Sequence, residues 1–276
     1  MAVPIYDNHV HLNPEGRNVE ALRVFEAAGG TGLTLVTLPY REVPISSGED
    51  FLRSFRITLS LAERGRDATG LRINVAVGPY PVLIIPLAEN YGLERAERIM
   101  AEGMEAAARL VSEGKADAIG EVGRPHFPVA REISEASDRV LMRGMELARD
   151  IGCPVIIHSE SEPSTYGDLR RMADAAGLDP GRVVKHSSGP LVTESETLGI
   201  VPSIPASRST TREALAKGNR FMLETDYIDD PGNASAVMSI NTVPKRIKAM
   251  RASGEMSDED AHRICGEIPQ RLYDFR

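Results

Sequence analysis

Four of the six histidines of this chain stand at or near the ends of short apolar runs. Imidazole nitrogens are common ligands of zinc and related divalent metals, so histidines that converge on one point indicate a metal site. A single His-x-His pair is weak evidence, because partly exposed loop histidines give the same pattern. Four histidines placed in this way seldom arise by chance. The four are His9, His11, His158 and His186.

Two carboxylates end further runs of the same kind. Glu121 closes the run that begins at Ala118, and Asp226 closes the run that begins at Phe221. Burying a carboxylate among apolar residues is costly unless a cation or hydrogen-bond donors compensate, and a metal is the natural compensation. Imidazole nitrogens and carboxylate oxygens suit zinc, manganese or cobalt, whereas a site of oxygen atoms alone favours magnesium or calcium. The six residues predict one or two divalent metals, with zinc expected first and manganese, cobalt or magnesium as alternatives.

The elements that must position these groups alternate between short β-branched runs and longer segments of helical period, which is typical of a parallel sheet connected by helices. In a (β/α)8 barrel the catalytic groups lie at the C-terminal ends of the strands, where these six residues fall. We therefore predict an α/β fold, a single (β/α)8 TIM barrel, as one domain over residues 1–276. The eight predicted strands are Val3–His9, Leu33–Leu38, Leu71–Val77, Ala116–Glu121, Pro154–His158, Arg182–His186, Gly199–Ser203 and Phe221–Asp226.

Helices are predicted between most of these strands, and the helical pattern is weakest after the sixth strand. The stretch from Val237 to Phe275 has the pattern of a helix, a turn and a second helix, with a break at Gly254 and an N-cap at Ser257. The clearest helical segments are Val19–Ala28, Glu49–Arg66, Leu93–Glu113, Ser134–Ile151, Tyr166–Ala176 and Thr211–Ala216.

The composition is that of an ordinary globular protein, with 42% hydrophobic and 26% charged residues. The net charge of −8 argues mildly against extended nucleic-acid binding. No apolar run has the ~18 to 20 residues that cross a bilayer, and the first residues lack the pattern of a signal peptide, so we expect a cytoplasmic protein with no membrane partner. Cys153 and Cys265 suggest no disulfide framework and are expected to be buried.

Because of these residues and their order, the sequence resembles the TatD-like hydrolases of the amidohydrolase superfamily over nearly the whole chain, from Asp7 to Phe275. Each motif alone is weak, but together and in this order they are specific. The motifs are Asp-x-His-x-His at 7–11, Gly-Glu-x-Gly at 120–123, the histidine at 158, His-x-x-Gly at 186–189 and Glu-Thr-Asp at 224–226.

The resemblance implies a site for two metals, in which His9, His11 and Asp226 hold one metal, His158 and His186 hold the other, and Glu121 bridges them. Metals in such a site lower the pKa of water towards about 7 and polarise the carbonyl or phosphoryl group that is attacked. Asp226 is the candidate catalytic base that orients this water and passes its proton to the leaving group.

Three positions depart from the pattern of the TatD-like nucleases. Tyr80 stands where those nucleases usually have a histidine, Glu160 where they commonly have an arginine, and Ser188 where they usually have an aromatic residue. Each change removes a phosphate or base contact. The metal site is therefore predicted more firmly than deoxyribonuclease activity.

The segment after Gly123 adds a cation and an imidazole beside the predicted metals. Arg124 is a candidate for binding an anionic group of the substrate, or it pairs with Glu160 or Glu162. His126 is a candidate substrate contact or proton shuttle, or a plain loop histidine. Tyr80 either contacts substrate at the mouth of the barrel or packs among prolines.

Three other polar residues are interpreted as structural. Asp7 lies on the side of the two first histidines but one step deeper, and is expected to accept hydrogen bonds rather than bind metal. Lys185 alternates away from His186 in its strand, and His262 is expected on the surface of the C-terminal helix.

The hypothesis from sequence is a hydrolase that uses metal-activated water to cleave a phosphoester, amide or related bond of a small-molecule substrate. The alternative keeps the site but makes the protein a 3′–5′ exonuclease, as the resemblance by itself suggests. A third possibility is a metal-dependent binding protein without turnover, which the complete set of six ligands disfavours.

Overall fold

The computed structural model describes residues 3–230, 232 and 238–274. Within them the strands form one parallel sheet in the order β8-β7-β6-β5-β4-β3-β2-β1-β9. The strands are β1 Tyr6–His11, β2 Gly32–Val36, β3 Arg72–Val77, β4 Ala118–Gly123, β5 Val155–His158, β6 Val183–Lys185, β7 Val201–Pro205, β8 Met222–Glu224 and β9 Tyr227–Ile228.

The sheet is curled so that its two ends meet. β8 lies at one end of the strand order and β9 at the other, yet only Thr225 and Asp226 separate them in the chain. β9 pairs with β1, with Tyr227 opposite Val10. The described residues thus have nine strands where eight were predicted: β8 ends at Glu224, Asp226 takes a left-handed φ of 50°, and the short β9 lies beyond the predicted end of the eighth strand.

Helices lie between most of the strands, and the helix after β6 has four residues. Leu93–Glu113 was predicted between β3 and β4, but a further helix, α3, precedes it. The helices are α1 Val19–Ala27, α2 Gly48–Ala68, α3 Ile84–Tyr91, α4 Leu93–Ser112, α5 Arg131–Ile151, α6 Pro163–Ala176, α7 Glu194–Thr197, α8 Arg208–Lys217, α9 Thr242–Ala252, α10 Asp258–His262 and α11 Ile268–Tyr273.

Alternate residues of the strands pack into two separate apolar clusters. In β5, Val155 and Ile157 pack in the cluster that contains Met104 of α4 and Leu141 of α5. Ile156 belongs to the second cluster, which is built from inner strand residues and the C-terminal helices. Because side chains alternate with a period of two, His158 points to the same side as Ile156. The packing of β5 thus directs His158 to the inner side of the curled sheet.

The C-terminal segment has the predicted helix, turn and helix. Ser257 caps α10 in a capping box with Asp260, and His262 is exposed. A π-helical turn at Arg263–Glu267 links α10 to α11. The predicted ends of this segment, Val237 and Phe275, lie outside the described residues.

Both cysteines are buried and free, as predicted. Among the described residues, no helix combines the length and the apolar character needed to cross a membrane.

A buried carboxylate joins the two ends of the sheet. Asp7 of β1 accepts hydrogen bonds from the backbone N–H of Thr225 at 3.0 Å, from the hydroxyl of Thr225 at 2.7 Å and from the backbone N–H of His9 at 3.2 Å. Burial raises the pKa of Asp7 to about 7, although these donors oppose the rise. Asp7 therefore fixes the chain between β8 and β9 against β1, in agreement with its predicted role as an acceptor.

We predict that Thr225→Val lowers the free energy of unfolding by about 1.5 to 3 kcal/mol at pH 8, where Asp7 is ionised, because the variant removes a hydrogen bond to a buried charge. Urea denaturation measures the change. Thr211→Val is the matched control, since the buried Thr211 hydroxyl donates to the neutral backbone carbonyl of Ser207 at 2.7 Å and its loss should cost only about 1 kcal/mol. Equal losses in the two variants would contradict the role of Asp7.

Candidate metal centre

β1 brings two imidazoles together at its carboxyl end. His9 and His11 are buried, and their Nε2 atoms lie 3.2 Å apart. The Nδ1 of His11 lies 3.0 Å from the backbone oxygen of Val36, which can only accept, so this Nδ1 carries a proton and Nε2 is the ring nitrogen that faces the cluster. Burial, His186 and His11 lower the pKa of His9 well below its usual value, which keeps the His9 ring neutral as a metal ligand must be.

Glu121 of β4 lies among all four imidazoles. Its Oε2 is 3.7 Å from His9 Nε2, 3.0 Å from His158 Nδ1 and 3.3 Å from His186 Nε2. Its Oε1 is 3.8 Å from His11 Nε2. Burial alone would raise the pKa of Glu121, but the hydrogen bond with His158 and the nearby imidazoles outweigh it and hold the pKa well below the usual range.

The next two strands supply the other pair of imidazoles. His158 ends β5, His186 follows β6, and His158 Nδ1 lies 3.1 Å from His186 Nε2. Burial would lower the pKa of His186, but Glu224, Glu121 and Asp226 raise it to about 9. Carboxylates that attract a proton to a buried imidazole also attract a metal cation, which must displace that proton.

Asp226 lies at the open side of this cluster. Its Oδ1 is 3.5 Å from His11 Nε2 and 4.0 Å from His9 Nε2, and its side chain is 37% exposed. Burial would raise the pKa of Asp226, but the hydrogen bond with His11 and the positive charge of the histidines lower it to about 2. Asp226 is thus a carboxylate at neutral pH that faces both the imidazoles and the opening.

The donor set fits a divalent cation. Two groups of side chains each place their ligand atoms within 4.8 Å of one another. The first group is His9, His11 and Glu121; the second is Glu121, His158 and His186. Two nitrogens bound at about 2.1 Å to one tetrahedral ion lie about 3.4 Å apart, close to the 3.2 Å between the Nε2 atoms of β1. The structure therefore brings together all six predicted ligands, with imidazole nitrogens and ionised carboxylate oxygens facing one another.

Glu224 takes part in the cluster, although it was not predicted as a site residue. It is fully buried and accepts hydrogen bonds from Ser203 Oγ at 2.5 Å and from the backbone N–H of Ser187 at 2.6 Å. Its Oε1 also lies 3.2 Å from His186 Nδ1, which turns the Nε2 of His186 towards Glu121. The signal was available, because Glu224 precedes Asp226 by two positions and so faces the same side of a strand.

Arg124 is bonded to carboxylates. Its guanidinium donates to both carboxylate oxygens of Glu160, at 2.6 and 3.0 Å, and to Asp138 at 3.1 Å. Of the two alternatives from sequence, this geometry matches the pairing with Glu160. Gly123 makes the arrangement possible: its φ is 139°, and a Cβ there would lie 2.0 Å from the backbone oxygen of His158.

His126 and Tyr80 both contact His158. His126 Nδ1 lies 2.8 Å from His158 Nε2, the ring nitrogen that faces away from Glu121. The ring of Tyr80 lies edge-on to His158, with centroids 5.3 Å apart. Burial, with the charges of Glu121 and Asp226, raises the pKa of Tyr80 to about 12, so its hydroxyl stays protonated. Both side chains therefore lie at the edge of the metal cluster.

Lys185 is buried beside the cluster and forms hydrogen bonds with backbone carbonyls. Its Nζ donates to the carbonyl of His186 at 2.6 Å and to the carbonyl of Ser159 at 3.2 Å. Burial lowers the pKa of Lys185 to about 8. This placement agrees with the structural role expected from the sequence.

Comparison with known proteins identifies the family. The family model described as TatD related DNase matches residues 6–274. The chain belongs to this family. The uncharacterized protein MJ1127 of Methanocaldococcus jannaschii is 34% identical over 279 residues, which cover 99% of this chain and 97% of that protein.

Solved structures share the fold. YjjV, a TatD homolog from Escherichia coli K12, superposes with a TM-score of 0.70 at 20% identity, covering 100% of both chains. The organophosphorus hydrolase from Deinococcus radiodurans gives a TM-score of 0.68 at 17% identity, covering 98% of this chain and 92% of that one. With its family and this donor set, the chain is a metal-dependent hydrolase whose curled parallel sheet resembles the TIM barrels of its TatD neighbours.

We predict that Glu224→Gln weakens metal binding by about 10- to 100-fold, because His186 loses the charged partner that orients its ring. Competition with a chromophoric chelator measures the affinity for zinc. Glu196→Gln is the control, since Glu196 belongs to the capping box of α7 and its loss should affect that helix but not the affinity for zinc. Equal affinities in the two variants would show that Glu224 does not support the metal ligand.

Proposed function

We propose that this protein hydrolyses a phosphoester, amide or related bond of a small-molecule substrate. The observation that carries the proposal is the convergence of four imidazoles and two carboxylates at the carboxyl ends of the strands. In barrels of this kind the catalytic groups are found at this end.

We further propose a site for two cations. His9, His11 and Asp226 would hold one, His158 and His186 the other, and Glu121 would lie between them. The support is the position of Glu121, whose Oε2 lies near His9, His158 and His186 and whose Oε1 lies near His11. Zinc suits these ligands best, with manganese, cobalt or magnesium as alternatives.

When bound by these residues, a divalent cation would lower the pKa of water and polarise the bond that is cleaved. Asp226 then serves as the general base: its low pKa keeps it ionised at neutral pH, and its partly exposed oxygens face the opening. It takes the proton at a carboxylate oxygen and delivers it to the leaving group.

A small substrate agrees with the mouth of the site. The loop after β4 offers one guanidinium, but Arg124 is already bonded to Glu160 and Asp138, so its charge is neutralised before any substrate binds. Arg124 would then shape the mouth rather than bind an anion directly. His126 and Tyr80, which both contact His158, are the candidates for touching the substrate.

The fold proposed for this activity is a closed barrel in one domain. The pairing of β9 with β1 and the bonds from Thr225 to Asp7 support the closure, because they join the two ends of the strand order.

Asp226→Asn should reduce kcat on a small ester substrate by about 10²- to 10⁴-fold, the usual contribution of a general base. This reduction in kcat can be measured on a panel of nitrophenyl phosphate and carboxylate esters. The assays use zinc-loaded protein and are repeated after chelation. Circular dichroism should show an unchanged fold, and Asp258→Asn, in exposed α10, should retain activity. A protein that binds only trace zinc, manganese or cobalt, or a fully active Asp226→Asn, would contradict the proposal.

The second candidate is exonuclease activity from the 3′ end, which the description of the family model favours. Its site would be the same six residues.

If the small substrate is correct, zinc-loaded protein should degrade a single-stranded DNA oligonucleotide at a rate no higher than that of the Asp226→Asn variant. Gel analysis of an end-labelled oligonucleotide measures this, with the nitrophenyl esters assayed on the same preparation. Oligonucleotide degradation that survives purification and disappears in Asp226→Asn would favour the nuclease instead.

A further inference from the structure

Three arginines surround a small cavity at the end of the sheet opposite the metal cluster. The cavity measures about 100 Å³. Arg220 immediately precedes the Phe221 and Met222 that lead into β8, and Val201 begins β7, so the cavity lies at the amino-terminal ends of these strands. The lining residues are Val201, Arg220, Arg263, Glu267, Ile268 and Arg271.

The cavity concentrates positive charge in an acidic protein. Three arginines and one glutamate line it, so their formal charges sum to +2, whereas the whole chain carries −8. Burial lowers the pKa of Arg220, and the neighbouring cations Arg271 and Arg263 lower it further, because like charges repel. This repulsion occurs in a cavity that none of the proposed catalytic residues lines.

The guanidiniums retain capacity to donate hydrogen bonds. The Nε of Arg263 is buried and has no hydrogen-bond partner among the described residues. Its Nη1 lies 3.9 Å from Glu267, which is beyond hydrogen-bond distance. Arg220 pairs with Glu194, which does not line the cavity, and Arg271 forms no ion pair with a described residue. Arg263 and Arg271 therefore have guanidinium donors that no described carboxylate occupies at this cavity.

We propose that this arginine cavity, lined by Arg220, Arg263 and Arg271, binds a doubly charged oxyanion such as a phosphoryl group. Guanidinium forks match the geometry of phosphate oxygens, and three of them supply the donors that such a group accepts. A volume of about 100 Å³ leaves room for more than one water molecule, which admits one tetrahedral oxyanion. The site is separate from the metal centre and does not depend on the proposed reaction.

Isothermal titration of the metal-loaded full chain with inorganic phosphate, at constant ionic strength in chloride, tests the site. Arg271→Gln and Arg220→Gln should each weaken this binding by about 10- to 100-fold, the effect of losing charge-assisted hydrogen bonds. Arg131→Gln is the control, because Arg131 is 87% exposed and lies outside the cavity. Phosphate bound at the metals would be unchanged in all three variants, so the difference between them reports on the arginine cavity.

The source of the phosphoryl group is distinguished by a second titration with phenylphosphonate, whose carbon–phosphorus bond resists hydrolysis. Binding of both probes, with the same dependence on Arg271, assigns the cavity to a phosphoryl group carried on a larger molecule. Binding of inorganic phosphate alone assigns it to the free ion. Phosphate affinity that is the same in Arg271→Gln, Arg220→Gln and Arg131→Gln, with thermal unfolding confirming that all three are folded, would overturn the proposal.

Discussion

One buried carboxylate sets the requirements for the rest of the structure. Glu121 lies among four imidazoles, and an ionised group so buried is tolerated only because positive charge or metal is drawn to it. The imidazoles come from β1, from the end of β5 and from the residue after β6, so these strands must share one end of one sheet. The curl of the sheet then brings Asp226, more than two hundred positions from β1, to the same point.

The elements that the sequence predicted well are those whose pattern is local. The alternation of Ile156 and His158 in β5, and the Ser257 cap of α10, follow from residues a few positions apart. The early end of the eighth strand could not be predicted from residues a few positions apart. Phe221 to Asp226 has the composition of one strand, but β8 ends at Glu224, and the next residue, Thr225, is hydrogen-bonded to Asp7, 218 positions away.

The six candidate ligands could be predicted from the sequence because each lies in or next to the last residues of a strand, whereas the contacts around them could not. The spacing of Glu224 from Asp226 places it on the same side of the strand, but its contacts with Ser203 and His186 depend on the folded chain. Arg124 left two alternatives open, since a guanidinium serves a substrate or an internal carboxylate equally well. The choice depends on the separation of the loops after β4 and β5, which only the folded chain fixes.

The net charge of the chain does not indicate the local charge at either end of the parallel sheet. At the carboxyl ends of the strands, Glu160 and Asp138 offset the positive charge of Arg124, which removes the electrostatic attraction that a polyanion would need. At the opposite end, positive charge accumulates in a chain whose total is −8. Residues at that end of a barrel ordinarily serve stability. Three neighbouring guanidiniums repel one another, and the anion proposed for this cavity would offset that repulsion.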